Sequence, residues 1–234
     1  MEPSPHLPEH ARKLLDTLKR RCPMRHQTVE TGKETLTIWT ACDVDPLLEE
    51  LSHRPQDDPD VTDERMPYWA EIWPSAVSLA VTILERRESL PPEPWLELGC
   101  GTGLAGVAAA RAGRRGLCTD YMREALWLAE LNACENRAAE QMDFRRLDWR
   151  EPPADLQVPW ILAADIAYED RNFQPLIDCF NRVLSPGGEI WLSEPGRAIA
   201  KPFFSALETT GWVVEPLRHD PPVTIHRLRR VTGG

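Results

Sequence analysis

The chain has 234 residues, 42% of them hydrophobic and 27% charged, close to the globular average, so a full core is affordable and wholesale disorder is excluded. No apolar run approaches the ~20 residues of a membrane span. A formal net charge of −10 argues against a dedicated nucleic-acid binder, which needs a basic footprint to release counterions. Met1 opens a polar, Pro-rich stretch without an apolar signal region. The cysteines Cys22, Cys42, Cys100, Cys118, Cys134 and Cys179 form no C-x-x-C pair and no zinc spacing. The expectation is a cytoplasmic protein with reduced thiols and no metal.

In chain order, Glu9–Arg21 reads as a short basic helix and Glu34–Cys42 has strand composition. Between 43 and 64 stand nine acids and one base, Arg54, expected as a solvated, partly mobile loop; the sharper reading is a rim attracting a cationic substrate. Pro74–Arg87 repeats apolar residues at helical spacing, with a proline in its first turn. Strands and helices then alternate. Strands are expected at Trp95–Leu98, Leu117–Thr119, Asp143–Leu147, Trp160–Ala164 and Glu189–Ser193. Helices are expected at Thr102–Ala112, Arg123–Asn136, Asn172–Leu184 and Lys201–Thr210. The turn Ser185-Pro186-Gly187-Gly188 is read as stopping the third of these helices, and Trp212–Val214 and Val223–Leu228 as two last strands. This order predicts an α/β fold: a mainly parallel seven-stranded sheet with helices on both faces, binding its ligand at the carboxyl ends of the strands.

The stretch Trp95 to Gly106 (WLELGCGTGLAG) joins a strand to a helix, where glycines let backbone approach a ligand closely. Gly101, Gly103 and Gly106 spell G-x-G-x-x-G, with Asp120 standing where a dinucleotide fold places its ribose acid. Glu97, Gly99, Gly101 and Gly103 spell E-x-G-x-G-x-G, which resembles motif I of class I S-adenosylmethionine-dependent methyltransferases. The ligands differ physically. A pyrophosphate favours a helix N-terminus free of nearby acid. S-adenosylmethionine carries an ammonium and a sulfonium, which an acid such as Glu97 suits. Asp120 ends the second strand of the alternating series and can accept from ribose hydroxyls. Asp148 follows the third, placed to take an adenine amino group, with the indole of Trp149 beside it. Asp165 ends the fourth, where a reacting methyl would lie.

With Tyr68–Ala76 (YWAEIWPSA), the glycine loop, Asp148-Trp149 and Ala164–Glu169 (ADIAYE) taken together, residues 66–228 resemble the seven-β-strand, methyltransferase-like protein lysine methyltransferases. That resemblance implies a Rossmann-like fold with S-adenosylmethionine as cofactor and S-adenosylhomocysteine as product. It places Trp73, Gly99, Gly101, Asp120, Trp149 and Ala164 along the cofactor, and Asp165 and Tyr168 at the ends of a D-x-x-Y element in the active site. Asp165 is read as orienting the acceptor amine, and Tyr168 as hydrogen-bonding it or presenting a π face. Residues 1–65 form an N-terminal extension expected to select the substrate, and 66–234 the cofactor-binding domain. The expected function is N-methylation of a protein lysine, with a protein partner and neither nucleic acid nor membrane. The alternatives are methylation of a small amine or metabolite, or a non-catalytic nucleotide-cofactor binder.

Overall fold

The computed structural model describes residues 3–32 and 34–231. An N-terminal part comprises α1 (Glu9–Lys19), β1 (Met24–Glu30), β2 (Thr35–Ala41), α2 (Asp45–Ser52) and α3 (Pro59–Thr62). There follow α4 (Pro74–Glu85), β3 (Trp95–Leu98), α5 (Leu104–Arg111), β4 (Gly116–Asp120), α6 (Arg123–Glu135) and β5 (Met142–Arg146). The chain closes with β6 (Val158–Ala164), α7 (Phe173–Val183), β7 (Leu184–Glu194), α8 (Lys201–Thr209), β8 (Trp212–Asp220) and β9 (Val223–Arg230).

Seven strands make one sheet in the order β5-β4-β3-β6-β7-β9-β8. The pairs among β5, β4, β3, β6 and β7 are parallel, and β9 runs antiparallel to β7 and β8. The fold is the expected mixed α/β, Rossmann-like sheet. Side-chain alternation builds two cores. Trp95, Trp160, Leu162 and Trp191 face the helices α4 and α5. Leu96, Leu98, Ile161, Ala163, Ile190 and Leu192 face α7 and α8. A parallel strand buried on both faces reads as a continuous apolar run, as β6 does; β3 is equally buried but carries Glu97 within it. From β3 the chain winds outward through β4 to β5, then returns to place β6 on the other side of β3. That reversal opens a crevice at the carboxyl ends of β3 and β6.

Three expectations are corrected. Strand β1 was not foreseen; its polar, alternating sequence pairs antiparallel with β2 as a hairpin. The Ser185–Gly188 turn does not separate helix from strand: β7 begins at Leu184, and its register against β6 shifts between Val158 and Trp160. The acidic stretch is not a bare loop. It holds α2 and α3, and Asp58 caps α3 by accepting from the Asp60 N–H. Arg54 pairs with Glu50, Asp58 and Asp60, Arg21 with Glu50 and Glu124, and Arg65 with Asp60 and Asp63. Arginines within the stretch and beyond it thus offset part of a like-charge block that would otherwise stay extended and hydrated.

The N-terminal part packs on α6. Leu7, Ala11, Leu15, Leu18 and Trp39 bury against Ala125, Leu128 and Leu131. Two asparagines four residues apart, Asn132 on α6 and Asn136 at its C-cap, complete the open edge of β2. Asn132 Oδ1 accepts from Trp39 N (2.7 Å) and its Nδ2 donates to Trp39 O (3.1 Å). Asn136 does the same for Thr37, at 2.9 and 2.7 Å. Asn132 Nδ2 also donates to Thr102 O in the glycine loop, at 2.9 Å. Asn132→Ala would strand these groups in a fully buried position. It should cost about 3 kcal/mol, since an unsatisfied buried polar group costs on the order of 1–3 kcal/mol; denaturant unfolding would show this as a lower midpoint.

Candidate active site

The crevice is shaped first by the loop between β3 and α5. Gly99 and Gly103 have φ of 63° and 72°, a left-handed conformation that side chains resist. A Cβ on Gly99 would come within 3.1 Å of Ile166 and 3.4 Å of Trp149, so the backbone lies flush with the wall there. A Cβ on Gly103 would sit 2.6 Å from that of Ala129. Gly103, expected at the cofactor, therefore serves close packing of the loop on α6 and does not line the cavity.

Two carboxyl groups hold this loop. Glu97 projects from β3 toward the first turn of α5, where its Oε2 accepts from Gly106 N at 3.0 Å and from the Cys118 thiol at 3.1 Å. Gly103, the residue preceding α5, has no side chain to cap the helix, and Glu97 supplies the missing acceptor from the strand. Burial pushes its pKa up to about 7. Asp120, at the end of β4, accepts from Gly101 N (3.0 Å) through Oδ2 and from Met122 N (2.8 Å) through Oδ1. Burial raises it to about 6, against the pull of those N–H donors.

A cavity of about 390 Å³ runs along the carboxyl edge of the sheet. At one end it is lined by Gly99, Gly101, Asp120, Asp148 and Trp149, and Glu97 contributes to its floor. Asp148 is held in bidentate fashion by Arg150, at 2.7–3.0 Å. At the other end stand Trp73, Ala164, Asp165 and Tyr168. Apart from Gly103, the expected site residues are thus brought to one cavity.

Several neighbours had no role assigned from the linear motifs, among them Tyr68, Arg197 and the 60–66 segment. Tyr68 lies edge-on to both Trp73 (5.8 Å between centroids) and Tyr168 (5.7 Å), making a three-ring wall. Burial holds the Tyr168 hydroxyl well above the ordinary tyrosine range, so it remains a proton donor. Asp165 adopts φ of 55°, a conformation Asp tolerates better than most residues. Its oxygens accept from Nε (3.0 Å) and Nη2 (2.9 Å) of Arg197, which follows β7. The Pro195-Gly196 turn at that strand's end was the available clue to a second loop at this rim. Over the first end of the cavity lies the 60–66 segment. Arg65 stacks on Tyr121, 3.5 Å from the ring centroid, Arg150 pairs with Asp63 at 2.9 Å, and Arg171 donates to Asp63 O at 2.7 Å.

A family model described as lysine methyltransferase matches residues 63–210. The chain belongs to that lysine methyltransferase family. Among its relatives, the histone-arginine methyltransferase METTL23 of Rattus norvegicus is 28% identical over 142 residues, 53% of this chain and 60% of that protein. The electron transfer flavoprotein beta subunit lysine methyltransferase of Xenopus laevis is 29% identical over 137 residues, 56% of this chain and 54% of that protein. The chain thus spans little more than half the length of these relatives. A ribosomal protein L11 methylase from Lactobacillus delbrueckii subsp. bulgaricus shares the fold, with a TM-score of 0.58 at 20% identity over 68% of this chain and 80% of that one.

In this member of the lysine methyltransferase family, the raised pKa of Glu97 links stability to pH. A carboxyl group at about 7 in the fold against its ordinary 4.5 takes up a proton on folding between those values. Its stabilising contribution is complete below about pH 4.5 and is lost as pH rises through about 7. Glu97→Gln keeps an acceptor for Gly106 and removes the titration. The difference in unfolding free energy between wild type and Glu97→Gln should shift by up to about 3 kcal/mol across that window, measured by denaturant titration at several pH values.

Proposed function

We propose that this protein is an S-adenosylmethionine-dependent N-methyltransferase acting on a lysine side chain of a protein. One observation carries the reading: in a chain of this family, a single cavity joins a glycine loop braced by Asp120 to an aromatic-walled pocket holding Asp165.

The donor set suits a cationic nucleoside. Asp120 is nearly fully buried, each oxygen takes one backbone N–H, and the remaining lone pairs are available to ribose hydroxyls. Trp149 offers a face for a base. The arginines Arg65, Arg150 and Arg171 along the cavity are engaged by carboxylates or backbone oxygens, which leaves a pyrophosphate poorly served and favours S-adenosylmethionine over NAD. When bound, that cofactor supplies an electrophilic methyl carbon whose bonding pair leaves with sulfur, and S-adenosylhomocysteine is the product.

The chain's own residues supply alignment, which is worth ~7–11 kcal/mol of such a barrier. Tyr68, Trp73 and Tyr168 wall the acceptor and exclude water. Tyr168 can hydrogen-bond the amine, and Asp165 orients it. The relatives named for lysine or arginine methylation of proteins support a protein acceptor. The N-terminal extension, packed on α6, and the roof at 60–66 are the surfaces proposed to select it. A cytoplasmic setting is proposed from the six cysteines, all free thiols and none in a redox spacing. Among the described residues no helix is long and apolar enough to cross a membrane.

Calorimetry should show binding of S-adenosylmethionine and S-adenosylhomocysteine and none of NAD; the opposite result overturns the cofactor assignment. Because ionised Asp120 is the better acceptor, affinity for S-adenosylhomocysteine should fall as pH drops through about 6, and Asp120→Asn should be weaker but flat with pH.

Asp165→Asn should leave that affinity nearly unchanged and reduce methyl transfer ~10²-fold, the scale of a lost positioning contact. Tritiated cofactor with a protein extract would report it as label in the macromolecular fraction. Label only in the small-molecule fraction would favour an amine metabolite as acceptor.

A further inference from the structure

Asp165 poses an electrostatic problem for the reaction just proposed. Only a neutral amine has the lone pair that forms the new nitrogen–carbon bond, and the product's surplus proton leaves to water. A lysine amine is almost wholly protonated at neutral pH, and a bare carboxylate beside it would hold the proton more firmly.

The structure supplies a counter-charge. Arg197 sends Nε and Nη2 to the two oxygens of Asp165, at 3.0 and 2.9 Å. The Asp165 side chain is 6% exposed and that of Arg197 39%, so the carboxylate is turned inward and the guanidinium closes its outer side. The clamp is itself fixed. Glu194, buried at the end of β7, accepts from Gly196 N at 2.7 Å and Arg197 N at 2.6 Å. The Arg197 guanidinium also lies 5.9 Å from the Trp73 ring, one of the three rings walling the pocket. Two donors in a rigid fork define the plane of the carboxylate, leaving its other lone pairs to face the cavity.

We propose that Arg197 is a positioning residue for the acceptor: it orients and neutralises Asp165, so that this carboxylate aligns the amine without holding it protonated. The inference rests on the methyltransferase reading. Other charged or titratable groups lie around the pair: Glu194 from β7 and Tyr68 from the turn before α4 act on Arg197, and Tyr168 after β6 acts on Asp165 and is itself acted on by Glu169 and by Asp120 from β4. Glu194 is spent on backbone N–H groups, burial keeps the Tyr168 hydroxyl protonated, and Glu169 is paired with Arg171 at 2.8 Å. Asp120 sits under the glycine loop. Arg197 is therefore the positive charge directly on Asp165.

The test compares wild type with Arg197→Met, which keeps the stem on Trp73 without the charge, and Arg197→Lys, which restores it. Each is titrated with S-adenosylhomocysteine, then assayed with tritiated S-adenosylmethionine and a heat-treated whole-cell protein extract from about pH 6 to 10. Arg197→Met should bind S-adenosylhomocysteine like wild type. Its alkaline-rising rate profile should move up by about one pH unit, a roughly tenfold loss at neutral pH, from the effect of an uncompensated carboxylate. Arg197→Lys should return the profile toward wild type.

A second readout needs no turnover. With S-adenosylhomocysteine bound, n-butylamine is titrated in two buffers of unlike ionisation heat, and wild type should release more protons per amine bound than Arg197→Met. An unshifted profile with equal proton release in the two proteins overturns the role of Arg197 alone. Wild type that neither binds S-adenosylhomocysteine nor labels any acceptor overturns the methyltransferase reading itself.

Discussion

Two carboxyl groups buried beneath one glycine loop set the geometry on which the rest of the site depends. Glu97 reaches from the central strand to the first turn of α5 and accepts the Gly106 N–H. Asp120 reaches from the next strand and accepts the Gly101 N–H. Between them they satisfy donors that a glycine-capped helix and a left-handed turn leave open. Burying two acids so close is costly, and both are pushed toward protonation. The backbone N–H groups that each accepts offset part of that cost.

The same economy of charge recurs around the rim. The acidic run from 43 to 64 supplies most of the chain's negative excess, yet in the fold Glu50, Asp58, Asp60 and Asp63 are drawn onto Arg21, Arg54, Arg65 and Arg150. Exposed pairs of this kind are individually worth little. Their effect here is positional: with Arg65 on Tyr121 and Arg171 on the Asp63 carbonyl, they lay the segment before α4 across the cavity. The long-range attraction that an unpaired acidic rim would exert on a cationic substrate is correspondingly reduced.

At the far end of the cavity the chemistry turns on compensation. Asp165 sits in a left-handed backbone conformation with its carboxylate already bridged by Arg197. A turn cap would spend its side chain on nearby backbone N–H groups; this one spends it on a guanidinium from a different loop. Strain of this kind gathers where a side chain must be aimed, and the rings of Tyr68, Trp73 and Tyr168 stand beside it in edge-on contact. One end of the cavity thus has Glu97 and Asp120 buried on backbone donors, and the other has Asp165 paired and turned toward a ring-lined space.

The linear sequence by itself determined the strand–helix alternation from Trp95 onward, the glycine loop, and the acids at successive strand ends. These depend on short-range causes: side-chain period, turn chemistry, and the rule that parallel sheets bind at their carboxyl edge. Tertiary structure alone decided what those residues touch. Gly103 became a packing glycine because α6 passes within contact of it. The polar strand β1 was illegible because its partner, not its own composition, makes it a strand. Asn132 and Asn136 read as ordinary helical polar residues until β2 is laid beside them. Arg197 stands 32 residues from the carboxylate it clamps, and no local pattern links the two. The winding of the sheet brings the ends of β6 and β7 side by side, and charge pairing between loops is settled only once that has happened.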